Sequence, residues 1–178
     1  MTYTAQPTAN DEPSIYVACL AAYNNGILHG EWVEISDEID DTWKAIRNVL
    51  ASSPIPQAEE WAIHDFQGFG GIRLSEYETI ERVHELADFL LEHDKIGALA
   101  LSHHDGAIDD AETTLENYMG CYTSLADYAE ESTEGTATIP KHLEFYIDYE
   151  RMGKDMESSG DVFTIQTNHD KVHVFLNH

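Results

Sequence analysis

Two short histidine–aspartate groups are the residues of this sequence whose types could support acid–base catalysis or metal binding. His64 directly precedes Asp65, and His103 and His104 directly precede Asp105. Neighbouring imidazole and carboxylate groups can transfer protons or ligate a metal ion. Neither group has the HExxH or CxxC spacing of a strong metal motif. We therefore expect surface or helix-capping roles for these side chains.

Cysteine and glycine residues supply two further candidates. Cys121 could act as a nucleophile with a distant histidine, but no local motif supports this, so a core thiol is expected. Cys19 also lies in an apolar context, and both thiols are expected to be buried and reduced. Gly68, Gly70 and Gly71 resemble part of a phosphate loop but lack the following Gly-Lys-Ser/Thr, which favours a turn. The sequence therefore predicts no catalytic residue, no metal site and no cofactor.

The elements that would position these residues follow the patterns of an α+β protein. Apolar β-rich runs predict strands at 14–23, 28–35 and 60–66, with Asn24-Asn25-Gly26 as a hairpin turn between the first two. Apolar residues at helical spacing predict a helix ended by Pro54, then helices at 76–92, 95–103 and 107–119. The remainder is predicted as a helix capped by Ser124, a loop at 132–138, a helix from Pro140 to about 157 and two strands around 167–170.

Glycine-rich turns divide this pattern into segregated parts rather than one doubly wound sheet. We predict a polar tail at 1–12, an N-terminal domain with a small sheet and a helix at 13–72, a central helical domain at 73–119 and a C-terminal α+β domain at 120–178. The first residues, MTYTAQPTANDE, lack the basic and apolar parts of a targeting segment. No apolar stretch approaches the roughly 18 residues of a membrane span. A cytoplasmic location is therefore expected.

Negative charge dominates the composition. The 178 residues include 34 acidic and 9 basic side chains, for a formal net charge of -25. Because 42% of the residues are hydrophobic, the chain can still build a core, and the charge does not predict disorder. A strongly acidic surface repels phosphate, which excludes ordinary binding to nucleic acid or to anionic membranes. The composition favours a partner with a basic surface.

Carboxylates of one sign recur on single faces of the predicted helices. Like charges one helical turn apart destabilise a helix by roughly 0.2–0.5 kcal/mol per pair. The stretches 1–42 and 97–140 contain no lysine or arginine that would relieve this repulsion. One charged face alone would be ordinary solvated surface, but the repetition indicates that the charge itself is selected. The candidate carboxylates are Glu81, Glu85, Asp88, Glu92, Asp109, Asp110, Glu112, Glu116, Asp127, Glu130 and Glu131.

The amount of charge is sufficient to imitate DNA. Duplex DNA carries one charge per ~1.7 Å of axis, so a net charge of -25 corresponds to ~43 Å of duplex. A compact chain of this length spans roughly 40 Å. The chain therefore has about the linear charge density of duplex DNA, although a protein adapted to high salt would also fit.

Several ordered motifs resemble the ArdA-type antirestriction proteins. They are YNNG followed by HGEW, EEWAIHD followed by GFGG, and GCYTSLADYAEE, and the similarity extends from about Pro13 to the C-terminus. The resemblance implies a protein without enzymatic activity that is carried on mobile elements and protects incoming DNA. It implies elongated, curved homodimers of three small domains per chain, whose surface carboxylates imitate the phosphates of bent DNA. The implied partner is the DNA-binding groove in the methyltransferase core of type I restriction–modification enzymes.

A dimer of such an acidic chain would need an apolar interface to overcome the repulsion between its halves. Aromatic residues and a methionine of the C-terminal half are candidates, and core packing is the alternative role for each. These candidates are Tyr118, Met119, Tyr122, Tyr128, Tyr146 and Tyr149.

Two other classes of function compete with the inhibitor. A metal-dependent hydrolase would use His64, Asp65, His103 and His104, and bound stoichiometric zinc would support it. An acidic protein adapted to high salt would gain stability in molar salt, whereas a DNA mimic should fold at low salt and lose only partner binding as salt rises.

Overall fold

The computed structural model describes residues 12–177, so the predicted tail, apart from Glu12, lies outside the described residues. These residues form six α-helices and two three-stranded antiparallel sheets, which confirms the α+β class. The elements in chain order are β1 (Ser14–Cys19), α1 (Leu20–Asn24), β2 (Gly30–Glu34), α2 (Ile39–Ala51), β3 (Trp61–Gln67), α3 (Ile80–His103), α4 (Ile108–Glu116), β4 (Tyr118–Tyr122), α5 (Leu125–Thr136), α6 (Tyr149–Ser159), β5 (Val162–Asn168) and β6 (Lys171–Leu176).

The chain divides into two compact units, of which unit 1 ends at Ala111 and unit 2 begins at Glu112. The division therefore falls inside α4. The proposed division into three domains stays a prediction. Each unit contains one of the sheets and the helices that pack on it.

The sheet of unit 1 has the order β2-β1-β3, with both neighbours antiparallel to β1. The central strand is apolar and almost wholly buried, as a strand covered on both faces must be. The predicted first strand was too long, because it ends at Cys19 and the chain then forms the short helix α1. Ala21 and Ala22 favour a helix there, and Gly26 makes the following turn with a φ of 73°.

Two helices complete the core of unit 1. In α2, Ile46 and Val49 are buried, and Trp43 packs edge-to-face on Trp61 of β3. The side chain of Thr79 caps α3 by accepting a hydrogen bond from the backbone N–H of Arg82. The predicted inward stripe is buried along this helix, as the periodicity indicated, and comprises Ile80, Val83, Leu86, Ala87 and Leu90.

A break within α3 corresponds to the boundary predicted between two central helices. Asp94 has φ 48° and ψ -141°, values that no α-helix contains. The break confirms the boundary between the helices expected at 76–92 and 95–103. The predicted start of the first helix is wrong, because Thr79 caps it and it begins at Ile80. Gly97 is buried beyond the break, where an added Cβ would clash with the Cβ of His93.

The sheet of unit 2 has the order β4-β6-β5 and is antiparallel throughout. Its two final strands confirm the predicted terminal hairpin. The strand β4 was not predicted, and the expected extension of the preceding helix to Met119 is wrong. That helix ends at Glu116, and Tyr118 instead pairs with Phe175 in the sheet, where its ring packs at 5.1 Å between centroids. Cross-strand packing of this kind is invisible to helical periodicity.

Two helix boundaries of unit 2 also differ from the prediction. The expected loop at 132–138 is wrong because α5 continues to Thr136, and the hydroxyls of Thr133 and Thr136 donate to carbonyls within the helix. The helix expected from Pro140 begins only at Tyr149, after Asp148 caps it by accepting from the backbone N–H of Arg151. Pro140 instead opens a turn in which its carbonyl accepts from the N–H of Leu143.

Candidate functional site

The carboxylates lie at the surface of both units. Within residues 12–177 every aspartate and glutamate is exposed, except Glu78, which is half-buried. All of the carboxylates predicted as DNA-mimicking are therefore in contact with solvent. Charged groups are expected outside, but a single-signed set of this size leaves the surface with few local counter-charges.

The α3 stripe consists of Glu81, Glu85, Asp88 and Glu92. These side chains are exposed because the apolar residues between them fill the opposite face of the helix. Arg82 interrupts the stripe, since its guanidinium lies 3.3 Å from the carboxylate of Glu85. The same guanidinium donates to the carbonyl of Gly106, which holds it in place. Sequence reasoning missed this partial neutralisation, although the spacing of three residues could have shown it.

The next carboxylates lie on α4. Asp109 and Asp110 are in its first turn, where a negative charge is favourable to the helix dipole. Glu112 and Glu116 are exposed further along the same helix. Interaction with the helix dipole therefore explains Asp109 and Asp110, but it does not explain Glu112 and Glu116, which lie beyond the first turn.

Two of the predicted carboxylates of unit 2 accept hydrogen bonds from neutral side-chain donors. The Ser124 hydroxyl donates to Asp127 Oδ2 at 2.9 Å, and the Tyr122 hydroxyl donates to Glu131 Oε1 at 3.1 Å. Glu130 lies beside Glu131 on α5 and is exposed. A neutral donor orients a carboxylate without cancelling its charge.

Two further carboxylates of unit 2 are held in the same way and were not predicted as site residues. The Thr164 hydroxyl donates to Glu157 Oε1 at 2.7 Å, and the Ser159 hydroxyl donates to Asp161 Oδ2 at 2.7 Å. The serine pair is close in sequence and could have been found from its spacing. The threonine pair joins β5 to α6 and has no local sequence signal.

The histidine groups occupy separate surroundings. His64 lies 3.7 Å from the Glu76 carboxylate and packs edge-to-face on Tyr23. The rings of His103 and His104 pack on each other with centroids 4.9 Å apart. Over the part of the chain that the structure describes, no three His, Cys, Asp or Glu side chains are grouped to hold a metal ion. Nor does any helix there have the length and apolar character needed to cross a membrane.

The predictions for the cysteines and the glycine-rich segment were partly correct. Both thiols are free, and Cys19 is buried as predicted, but Cys121 is exposed, so its expected place in the core is wrong. Alternate residues of a strand face opposite sides, and Cys121 lies on the exposed side of β4. The glycines form the predicted turn after β3, with positive φ at Gly68, Gly70 and Gly71. An added Cβ at Gly70 would lie 2.7 Å from the Cβ of Ala98.

The predicted dimer candidates differ in exposure. Tyr128 is 4% exposed and belongs to the core of unit 2 with Val162, Val172 and Val174. Tyr146 is 84% exposed, and its neighbour Phe145, which the prediction did not include, is 93% exposed. The remaining candidates are at least partly accessible: Tyr118, Met119, Tyr122 and Tyr149. Their participation in an interface stays a prediction.

A titratable pair lies on the sheet of unit 2. The hydroxyl of Tyr118 is 2.9 Å from Nδ1 of His173. Burial, and then the positive charge of Lys171, lower the pKa of His173. Burial, and then the nearby Cys121, raise the pKa of Tyr118. Both shifts favour the neutral pair.

Comparison with known families gives one result that covers nearly the whole chain. A family model described as Antirestriction protein (ArdA) matches residues 15–171. The match extends across both units, from β1 to the start of β6. A comparison with curated protein sequences finds no match.

Proposed function

The chain belongs to the ArdA family of antirestriction proteins, and from this we propose that it inhibits type I restriction–modification enzymes as a DNA mimic. In this proposal the protein occupies the DNA-binding groove of the methyltransferase core in the cytoplasm. It blocks cleavage and modification without catalysing a reaction, and thereby protects incoming mobile DNA.

The single observation that supports the mimic most strongly is the exposure of the carboxylates. Exposure keeps these charges available to a partner, and the excess of 34 acidic over 9 basic residues leaves most of the field uncancelled. A net charge of -25 equals the charge on ~43 Å of duplex DNA.

The basic DNA-binding groove of the enzyme explains why an acidic protein would bind there without a catalysed reaction. Its basic side chains are arranged for phosphates and hold counterions that an acidic protein can displace, as DNA does. Contacts to phosphate carry little sequence information, so one mimic can inhibit enzymes that recognise different DNA sequences. Affinity should therefore depend on salt and not on the recognition sequence of the enzyme.

A symmetric homodimer extends the proposal. Two chains, each with a net charge of -25, would equal roughly 85 Å of duplex. The exposed Phe145 and Tyr146 support a place for self-association in unit 2, because large apolar side chains on a surface favour a partner.

A competition assay tests the proposal. A labelled duplex is bound to a purified type I methyltransferase core, and this protein is titrated in at two salt concentrations. We expect displacement that weakens with salt, and greater displacement than an equal charge of poly-glutamate produces. A folded protein that fails to displace the duplex at low salt contradicts the mimic. Circular dichroism at the same low salt separates this outcome from an unfolded, salt-requiring protein.

A further inference from the structure

A tyrosine of unit 2 fixes one of the proposed DNA-mimicking carboxylates. The hydroxyl of Tyr122 in β4 lies 3.1 Å from Oε1 of Glu131 in α5. The carbonyl oxygen of Met119 is more distant from the same hydroxyl, at 3.4 Å. Since one hydroxyl proton serves one good acceptor at a time, the shorter, charge-assisted contact with Glu131 is favoured.

The position of this hydroxyl is set by the fold. The ring of Tyr122 packs edge-to-face on Tyr128, at 5.3 Å between centroids, and Tyr128 is itself in the core. This contact with a buried ring limits the movement of Tyr122, which is itself partly buried. The donor is therefore anchored to the core of unit 2.

An irregularity in β4 makes room for the ring. The register between β4 and β6 shifts between Tyr118 and Gly120, which is a bulge that redirects the side chains after it. Gly120 has φ 137°, and an added Cβ would lie 3.3 Å from Cε2 of Tyr122. Any other residue at Gly120 would be strained and would crowd the tyrosine ring.

Glu131 is thus oriented without loss of its charge. Arginine or lysine would also fix a carboxylate, but it would cancel the negative field that attracts a basic partner. A tyrosine hydroxyl keeps its proton at neutral pH because its ordinary pKa is about 10. Burial, and then the hydrogen bond to Glu131, raise the pKa of Tyr122 further, so the hydroxyl remains a donor.

We infer that Tyr122 is a positioning residue that presents the Glu131 carboxylate, in a fixed orientation, to a basic side chain of the inhibited enzyme. The inference rests on the proposed function. It assigns Tyr122 a role different from the self-association expected from the sequence. A fixed carboxylate binds with less loss of side-chain entropy than a rotating one, so the gain appears as affinity without added charge.

The variant Tyr122→Phe tests the inference in the competition assay. We expect the affinity for the methyltransferase core to fall about threefold to tenfold, because a mobile Glu131 side chain must be ordered on binding. The slope of affinity against salt should not change, because the net charge does not change. Tyr77→Phe is the matched control, since Tyr77 is 69% exposed in unit 1, and it should bind like the wild type. Equal affinity of Tyr122→Phe and the wild type would overturn the inference.

A double-mutant cycle separates positioning from a general structural effect. If Tyr122 acts through Glu131, Tyr122→Phe should have no further effect in a Glu131→Ala background, which removes the acceptor. The same loss in both backgrounds would overturn the inference while the proposed function stands. Failure of the wild type to displace DNA would instead refute the proposed function.

A measurement on the free wild-type protein keeps the inference testable if Tyr122→Phe folds poorly. NMR relaxation should show a more ordered side chain for Glu131 than for its exposed neighbour Glu130. Equal order for the two glutamates would contradict the positioning role whatever the partner binds.

Discussion

The two units carry negative charge in different ways. Unit 1 contains 21 acidic and 5 basic residues, a formal charge of -16, whereas unit 2 contains 13 and 4, a formal charge of -9. In unit 1 the α3 stripe projects from one helix face and includes an arginine contact at Glu85. In unit 2 several carboxylates accept hydrogen bonds from serine, threonine or tyrosine hydroxyls.

The comparison shows that the total charge of a unit and the orientation of its carboxylates are separate properties. Exposed charges on flexible side chains act mainly through their sum, which steers a partner and is screened by salt. Charges held by neutral donors act through position, because their geometry is set before binding. In the proposed inhibitor, unit 1 supplies more of the field and unit 2 more of the fixed contacts.

The largest expected effect comes from neutralising the carboxylates of the α3 stripe in unit 1. Changing Glu81, Glu85 and Glu92 to glutamine and Asp88 to asparagine removes the α3 stripe at nearly constant size. We expect the affinity for a type I methyltransferase core to fall on the order of 100-fold at low salt. The salt slope should also become shallower, because fewer counterions are released.

The single change Glu81→Gln is the control for this stripe variant. It should reduce affinity by no more than about fivefold, since no one charge dominates a diffuse field. Complete loss of binding from this change alone would contradict the additive account of unit 1.

A smaller effect is expected from removing a hydrogen bond that holds α3, the helix carrying the stripe, against α2. Nε2 of the buried His84 is 2.9 Å from the hydroxyl of Thr42, a contact that joins α3 to α2. Thr42→Val keeps the shape but leaves the imidazole without this partner, at a cost of about 1–3 kcal/mol in the free energy of unfolding. Thr42→Ser keeps the hydroxyl and should be less destabilising in urea unfolding. A valine variant as stable as the wild type, beside a destabilised serine variant, would show that the methyl group, not the hydrogen bond, supports the helix.

The sequence predicted the periodic parts of this molecule well. Ile80, Val83 and Leu90 recur at helical spacing, and the same period placed Glu81 and Asp88 on the exposed face. The boundary near Asp94 and the final hairpin were also recognised, since local patterns encode both. The family resemblance came from ordered motifs such as GCYTSLADYAEE, and the family match confirms it.

The parts that were missed depend on contacts distant in sequence. The strand β4 is short, contains Gly120 and is defined by its pairing with β6. The hydrogen bond between Tyr122 and Glu131 requires that strand, so the sequence could not show it. Pro140 predicted a helix start from local preference, but Asp148 caps the helix that forms.

The smallest expected effect is a change in thermal stability with pH. It tests whether the neutral pair of Tyr118 and His173 stabilises unit 2. The pKa of His173 is lowered by burial, so between this lowered value and the unfolded value of 6.5 the unfolded chain binds the proton more readily. Stability from this group is therefore present above pH 6.5 and is lost as pH falls through the lowered pKa. We expect the Tm to fall by no more than a few degrees, about 5 °C, between pH 7.5 and 5.5. His173→Gln should reduce this pH dependence, whereas His169→Gln, at an exposed position of the same hairpin, should retain it. An unchanged pH response in His173→Gln would show that other groups titrate, and the contrast with unit 1 would then rest on the carboxylate–hydroxyl pairs alone.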